Sequence, residues 1–249
     1  MTVCEGFKNR KVALMAAFFF VVFLSWSFRV NADSEMSYED RRNLARFLAN
    51  NVAPRPVIRS KQQSFDLVSD INDRVFEVVK EICLQEKIEG KRCTWSISVQ
   101  RKPDFVAYAH RYNEIVIHTG LIDKTTSDDE VAFVVAHEIA HHILDHVGKQ
   151  RDAVFVGAIL GAITGAGGAA VDLAAMINFW WSVPREVSAD RMAAIIIHRA
   201  GYSLPKARNI ILRIAKMNGR SYSNRFVDSH PAALERIHAF DNIASKLEG

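Results

Sequence analysis

Apolar residues recur at helical spacing across 64–89, at Phe65, Val68, Ile71, Val75, Val78, Val79 and Ile82. The positions between them are largely polar, so the segment is predicted as an amphipathic helix, ended by Gly90. The period then changes. "TWSISVQ" at 94–100, "FVAYAHR" at 105–111 and "EIVIHTGLI" at 114–122 alternate and are rich in β-branched and aromatic residues. They predict three strands, the last two joined by a tight turn near Tyr112-Asn113. Ser127 and Glu130 form an S-x-x-E capping box that starts a second helix. Its apolar positions continue to Leu144, and Gly148 is the expected stop. Pro184 opens a further helix closed by Gly201, another spans about 204–218, and a last one begins at Pro231. The order of elements predicts an α+β domain, mainly helical, with a small antiparallel sheet preceding the helix at 127.

Two segments break this pattern. Residues 12–28 form an uncharged apolar run behind Lys8, Arg10 and Lys11, and "RVNADS" follows. That is a secretory signal pattern with a cut after Ala32, the alternative being an uncleaved anchor. The expected organisation is therefore a leader at 1–32, a polar arm at 33–62 marked by "APRP", and one domain at 63–249. Export is expected, to the periplasm if the source is a Gram-negative bacterium. The second segment, 153–183, is apolar with only Asp172 charged, and Gly157, Gly161 and Gly165 repeat at small-xxx-small spacing.

Charge adds little. The net charge is +4, and +3 of it (Lys8, Arg10, Lys11 and Arg29 against Glu5) lies in the leader. No nucleic-acid partner is read from so neutral a remainder. Of three cysteines, Cys4 lies in the leader, leaving Cys83 and Cys93 as an even pair in an exported chain. A Cys83–Cys93 disulfide would tie a helix end to the next strand; two free buried thiols are the alternative. Two cysteines cannot build a thiolate zinc site, so any metal needs His and carboxylate ligands.

Those residue types cluster in "HEIAHHILDH" at 137–146. On a helix, His137 and His141 lie about 40° apart and present their imidazoles on one face, as two ligands of a tetrahedral zinc. Glu138 lies about 100° round from His137. It is placed to take a proton from a water on the metal rather than to share the metal. A catalytic zinc takes a third protein ligand. Leu144 and Val147 exclude the longer HExxHxxGxxH pattern. Glu186, in "REVSADRMA", is the candidate third ligand, with Asp190 one turn on to fix the tautomer of a ligand histidine. A helix-start Glu and an exposed Asp remain the alternative. His142 and His146 fall at about 140° and 180° from His137 and are expected to pack or solvate.

"HEIAH", "EVSAD" and "SHPAALERI" together resemble the HtpX-like and CAAX-prenyl-protease-like zinc metallopeptidases, peptidase family M48, over roughly residues 64–245. "NEIVIHTGLI" is similar to the strand that precedes the HExxH helix in that family. The resemblance implies a zincin-like fold with one zinc per chain. It implies His137, His141 and Glu186 as zinc ligands, Glu138 as general base and Asp190 as a partner behind the ligands. Val106-Ala107-Tyr108 stands where family members often carry Asn-Ala. His230, in the S-H-P of the last motif, is a candidate fourth ligand that would hold the enzyme latent; alternatively it caps or packs the last helix. Arg236, His230 and Tyr108 are candidates for contacting the substrate oxyanion. The 114–119 strand is a candidate edge for an extended peptide.

The implied function is an exported zinc endopeptidase acting on protein or peptide substrates, in envelope quality control or processing. The alternatives are a zinc-fold chaperone or binding module without proteolysis, and a small-peptide amide hydrolase. Segment 153–183 is expected to pack as an apolar hairpin beside the site or to touch a membrane surface. Its 31 residues are too few for the two crossings, about 40 residues, that would return Glu186 to the side of His141.

Overall fold

The computed structural model describes residues 38–51, 55–57, 59–88, 90–110, 113–146, 182–218, 230 and 234–249. The predicted leader, Pro231 and nearly all of segment 153–183 lie outside the described residues. The chain divides into two compact units, Met1–Arg46 and Phe47–Gly249. Helix α1, Tyr38–Asn50, runs across that division and occupies much of the stretch expected as a polar arm. Its apolar residues Leu44, Phe47 and Leu48 stand at i, i+3 and i+4, a short stripe within an otherwise charged sequence.

The second unit begins with α2, Lys61–Gln85, three residues ahead of its predicted start. A capping box sets that start. Ser60 Oγ accepts from the Gln63 amide at 3.2 Å, and Gln63 Oε1 accepts from the Ser60 amide at 2.7 Å. The predicted stripe is the buried face, with Val68, Ile71, Val75, Val79 and Ile82 inside. A 3₁₀ turn, Gly90–Cys93, follows, and the Cys83 and Cys93 sulfurs are bonded across it.

Strands β1 (Ser96–Gln100), β2 (Ala107–His110) and β3 (Glu114–His118) form the sheet in the order β1-β3-β2. β2 pairs antiparallel with β3, and β1 pairs parallel with it. The sheet is therefore mixed, not antiparallel throughout as its short links suggested. The 101–106 link explains the difference. It passes over the carboxyl end of β3, so β2 arrives on the far side rather than beside β1. Gly120 permits that crossing: a Cβ there would lie 2.0 Å from the Pro103 carbonyl oxygen. The Gly120 amide donates to Lys102 O at 2.8 Å and the His118 amide to Val106 O at 2.9 Å. Asn113 holds the other end, with φ 57 and its side-chain amide donating to Thr94 O at 2.9 Å. Beyond His118 the predicted strand turns into a short helix, α3, Thr119–Ile122. The topology also corrects the expected peptide-binding edge: β3 is paired on both sides, and among the described residues the sheet's edges are β1 and β2.

Helix α4, Asp128–Ile143, is central, and every residue from Glu130 to Ile143 is buried. Ser127 caps it, accepting from the Glu130 amide at 3.4 Å. The Glu130 carboxylate turns back to Thr126 and outward to Arg213 Nε at 2.8 Å. Around α4 pack α2, the sheet, α5 (Ser182–Arg199) and α6 (Leu204–Asn218), while α7 (Leu234–Glu248) lies chiefly on α5 and α6. The Ser203 amide donates to Asp129 at 2.7 Å, and Phe133 meets Phe240 edge to face, which seats α6 and α7 against α4. Among the described residues no helix is long and apolar enough to cross a membrane.

Candidate metal centre

Because α4 is buried all round, its polar residues at 137, 138 and 141 stand in the interior. Burying imidazoles and carboxylates is costly unless each finds a partner or an ion. Helix α5 meets α4 at this level and brings Glu186 and Asp190 from the same face, one turn apart. His230 completes the cluster from the segment ahead of α7.

Four ligand residues converge, with ligand atoms all within 4.8 Å of one another. His137 Nε2 lies 3.0 Å from His141 Nε2 and 3.2 Å from Glu186 Oε2. His141 Nε2 lies 3.3 Å from Glu186 Oε1. His230 Nδ1 lies 2.8 Å from Glu186 Oε2 and 3.3 Å from His137 Nε2. Ligand atoms about 2.0–2.1 Å from a tetrahedral zinc stand about 3.3–3.4 Å apart, so these separations approach the edges of such a tetrahedron.

The outer ring nitrogens have partners of their own. His137 Nδ1 faces Asp190 Oδ1 at 3.0 Å, and His141 Nδ1 faces His146 Nδ1 at 3.0 Å. Protons on both Nδ1 atoms leave two Nε2 lone pairs aimed at each other, an arrangement that a shared cation relieves. Charge points the same way. Glu138, Glu186 and Asp190 are buried against one buried guanidinium, Arg236. Without a metal, a protonated His137 offsets part of that charge; a bound cation would take the place of its proton.

The titration behaviour agrees. Burial lowers the His137 pKa, but Asp190 and Glu186 outweigh it and push it up to about 10. A metal competes with that proton for the same lone pair. Burial lowers His141, leaving its imidazole neutral and ready to ligate. Burial would raise Glu186, but His230 and Arg236 hold it well below the ordinary carboxylate value. Asp190 is likewise held low, chiefly by Arg236 against burial.

Arg236 is 1% exposed and points inward from α7. Its Nε and Nη2 donate to Asp190 at 2.7 and 2.8 Å, and its Nη1 to the His230 carbonyl at 3.2 Å. The same Nη1 lies 3.1 Å from Glu186 Oε2. It is thus engaged in fixing the two carboxylates of α5 and the backbone of His230, which argues against the predicted substrate contact. His230 Nε2 lies 3.4 Å from Glu138 Oε1, so this ring stands between Glu186 and Glu138. Tyr108, on edge strand β2, packs edge to face on His118 with ring centroids 6.4 Å apart. His142 is buried at 5%, in keeping with packing, and burial lowers its pKa.

His146 departs from expectation. Helix α4 stops at Ile143, short of Gly148, and Asp145 takes the left-handed conformation at φ 58. That turn swings His146 back onto His141. The sequence carried one local signal for it, since Asp is among the few residues that adopt this conformation readily.

Residues 70–244 match the family model described as Peptidase family M48. The chain is also similar to "Mitochondrial metalloendopeptidase OMA1" of Arabidopsis thaliana, 26% identical over 148 residues. That match covers 57% of this chain and about 30% of the relative's length. The family match takes in α4, α5 and the start of α7 and spans most of the chain: this protein belongs to peptidase family M48.

Proposed function

From that membership, we propose that the chain is a zinc-dependent endopeptidase in which His137, His141 and Glu186 hold one metal ion and Glu138 is the general base. The convergence of these ligand atoms in one buried cluster carries the reading. When bound, zinc would supply a Lewis acid that acidifies water and polarises a peptide carbonyl. The chain's own residues do the rest. Glu138 follows His137 on α4, so its carboxylate flanks the ligand cluster instead of joining it. It accepts the proton of the attacking water and delivers it to the leaving amine. Asp190 and Arg236 keep His137 and Glu186 in place.

His230 touches both Glu186 and Glu138, where substrate and water must approach. It acts as a fourth ligand that holds the site latent and withdraws when substrate enters. Replacing His230 with Ala should raise cleavage and weaken zinc binding; no change in either excludes the latch. Strand β2, an edge of the sheet among the described residues and packed on α4, is the proposed track for an extended peptide. The proposed setting is an oxidising compartment outside the cytosol, in protein processing or quality control. The apolar leader and the bonded Cys83–Cys93 pair support it. The relative's name adds a mitochondrial setting as a second reading. Fractionation of cells expressing the full chain separates the two.

The test is metal analysis and casein cleavage for the protein and its Glu138→Gln variant. One zinc per chain in both, with cleavage only in the parent, is expected. Equal cleavage by both removes the mechanism. A binding module would hold unfolded protein without cutting it, and an amide hydrolase would cut only short peptides.

A further inference from the structure

We infer that His146 is a positioning residue for His141, and that Ser188 completes a directed hydrogen-bond chain back to the helix that carries Glu186. The inference rests on the zinc reading of the site and deepens it. The two histidines of α4 are supported differently. His137 has a carboxylate behind it, Asp190 at 3.0 Å. His141 has a second imidazole, His146, Nδ1 to Nδ1 at 3.0 Å with ring centroids 5.0 Å apart. On a continued helix, residue 146 would lie about 140° round from residue 141 and could not touch it. The left-handed turn at Asp145 creates the contact.

The hydrogen-bond directions follow from the ligand role of His141. Its Nε2 faces Glu186 and His137, so a neutral, ligating ring carries its proton on Nδ1 and donates it to His146 Nδ1. The His146 proton must then sit on Nε2, which faces Ser188 Oγ at 3.4 Å. Ser188 in turn donates to the Arg185 carbonyl at 2.8 Å. Arg185 and Ser188 bracket Glu186 on α5. One chain of donors and acceptors therefore fixes the tautomer and tilt of His141 and refers them to the helix of the third ligand. A neutral partner also leaves the charge of the site unchanged, whereas a second carboxylate like Asp190 would add to a cluster already rich in negative charge.

The test measures zinc affinity, by competition with a chromophoric chelator, for the full chain and its His146→Ala, His146→Gln and Ser188→Ala variants. Melting of the metal-free proteins is followed in parallel. His146→Ala should weaken zinc binding about 10- to 100-fold, as for other partners behind ligand histidines. His146→Gln, which keeps an acceptor, should recover much of that loss, and Ser188→Ala should lose less than His146→Ala. Metal-free melting should stay near that of the parent in all three. In the zinc-loaded parent, ¹⁵N-resolved imidazole spectra should show His141 protonated on Nδ1 and His146 on Nε2. Parental zinc affinity in His146→Ala, a loss that Gln does not recover and that tracks metal-free melting, or the opposite tautomers would each overturn the inference. If the parent itself binds no zinc, the zinc reading fails and this inference with it. If the parent binds and His146→Ala binds equally, only this inference fails.

Discussion

Helices α2 and α5 both pack against α4, yet they bury opposite kinds of side chain. The inner face of α2 carries Val68, Ile71, Val75 and Val79. The inner face of α5 carries Glu186 and Asp190 among alanines and isoleucines. Apolar burial stabilises by itself, whereas each buried carboxylate costs free energy unless a partner or an ion meets it. The α2 side therefore accounts for the fold, and the α5 side is legible only through the chemistry it holds. Arg236 joins the two accounts, because it makes burial of Asp190 and Glu186 tolerable before any metal enters.

Substitutions should separate the two sides. The largest expected effect is on the α5 side. Arg236→Leu removes the guanidinium that pairs with Asp190 and Glu186 and should cost about 3–5 kcal/mol in urea unfolding of the metal-free protein. A loss below 1 kcal/mol would mean that the clamp does not hold the site together. Next comes the Cys83–Cys93 bridge, whose replacement by two serines should cost about 2–4 kcal/mol while leaving zinc affinity alone. Ile71→Val, on the α2 side, should cost only about 0.5–1.5 kcal/mol and also leave zinc affinity at the parental value. A zinc defect in that variant would contradict the division between the two helices.

The smallest effect is a shift in acid sensitivity. Glu186 and Asp190 have folded pKa values below their ordinary ones. Their contribution is present above the unfolded values of about 4 and is lost as pH falls through the lower folded values. Without Arg236, the largest cause that lowers Asp190 is gone, so Arg236→Leu should begin to unfold at a higher pH than the parent. Acid titration followed by circular dichroism reads the shift, and coincident curves would assign the lowering elsewhere.

What was legible in the sequence follows the range of each interaction. The stripe of α2, the Ser127 cap of α4 and the i, i+4 pair of histidines are local patterns, and the structure keeps them, though the Glu130 carboxylate meets Thr126 and Arg213 instead of closing the box on Ser127. Glu186 and Asp190 were readable as a pair one turn apart, but their meeting with His137 is a contact between helices and came from resemblance to a family. The parallel pairing of β1 with β3 was not readable, because it depends on a link crossing over Gly120. Arg236 was one of three candidates for a substrate contact, and its inward contacts to Asp190 and Glu186 were not readable, because nothing in "HPAALERI" says which way the last helix turns. His146 was misread because periodicity assumes that a helix continues, and one left-handed residue at Asp145 ends it. Helix α1 was hidden by its charge, with few apolar positions to show a period.

The central claim is that His137, His141 and Glu186 hold zinc beside Glu138. Zinc K-edge X-ray absorption on the loaded protein tests it most directly. The account predicts about four nitrogen and oxygen neighbours at about 2.0–2.1 Å with imidazole scattering, and loss of the bound zinc or of most of that scattering in a His137→Ala, His141→Ala variant. Sulfur at about 2.3 Å, or a six-oxygen shell without imidazole, would contradict it.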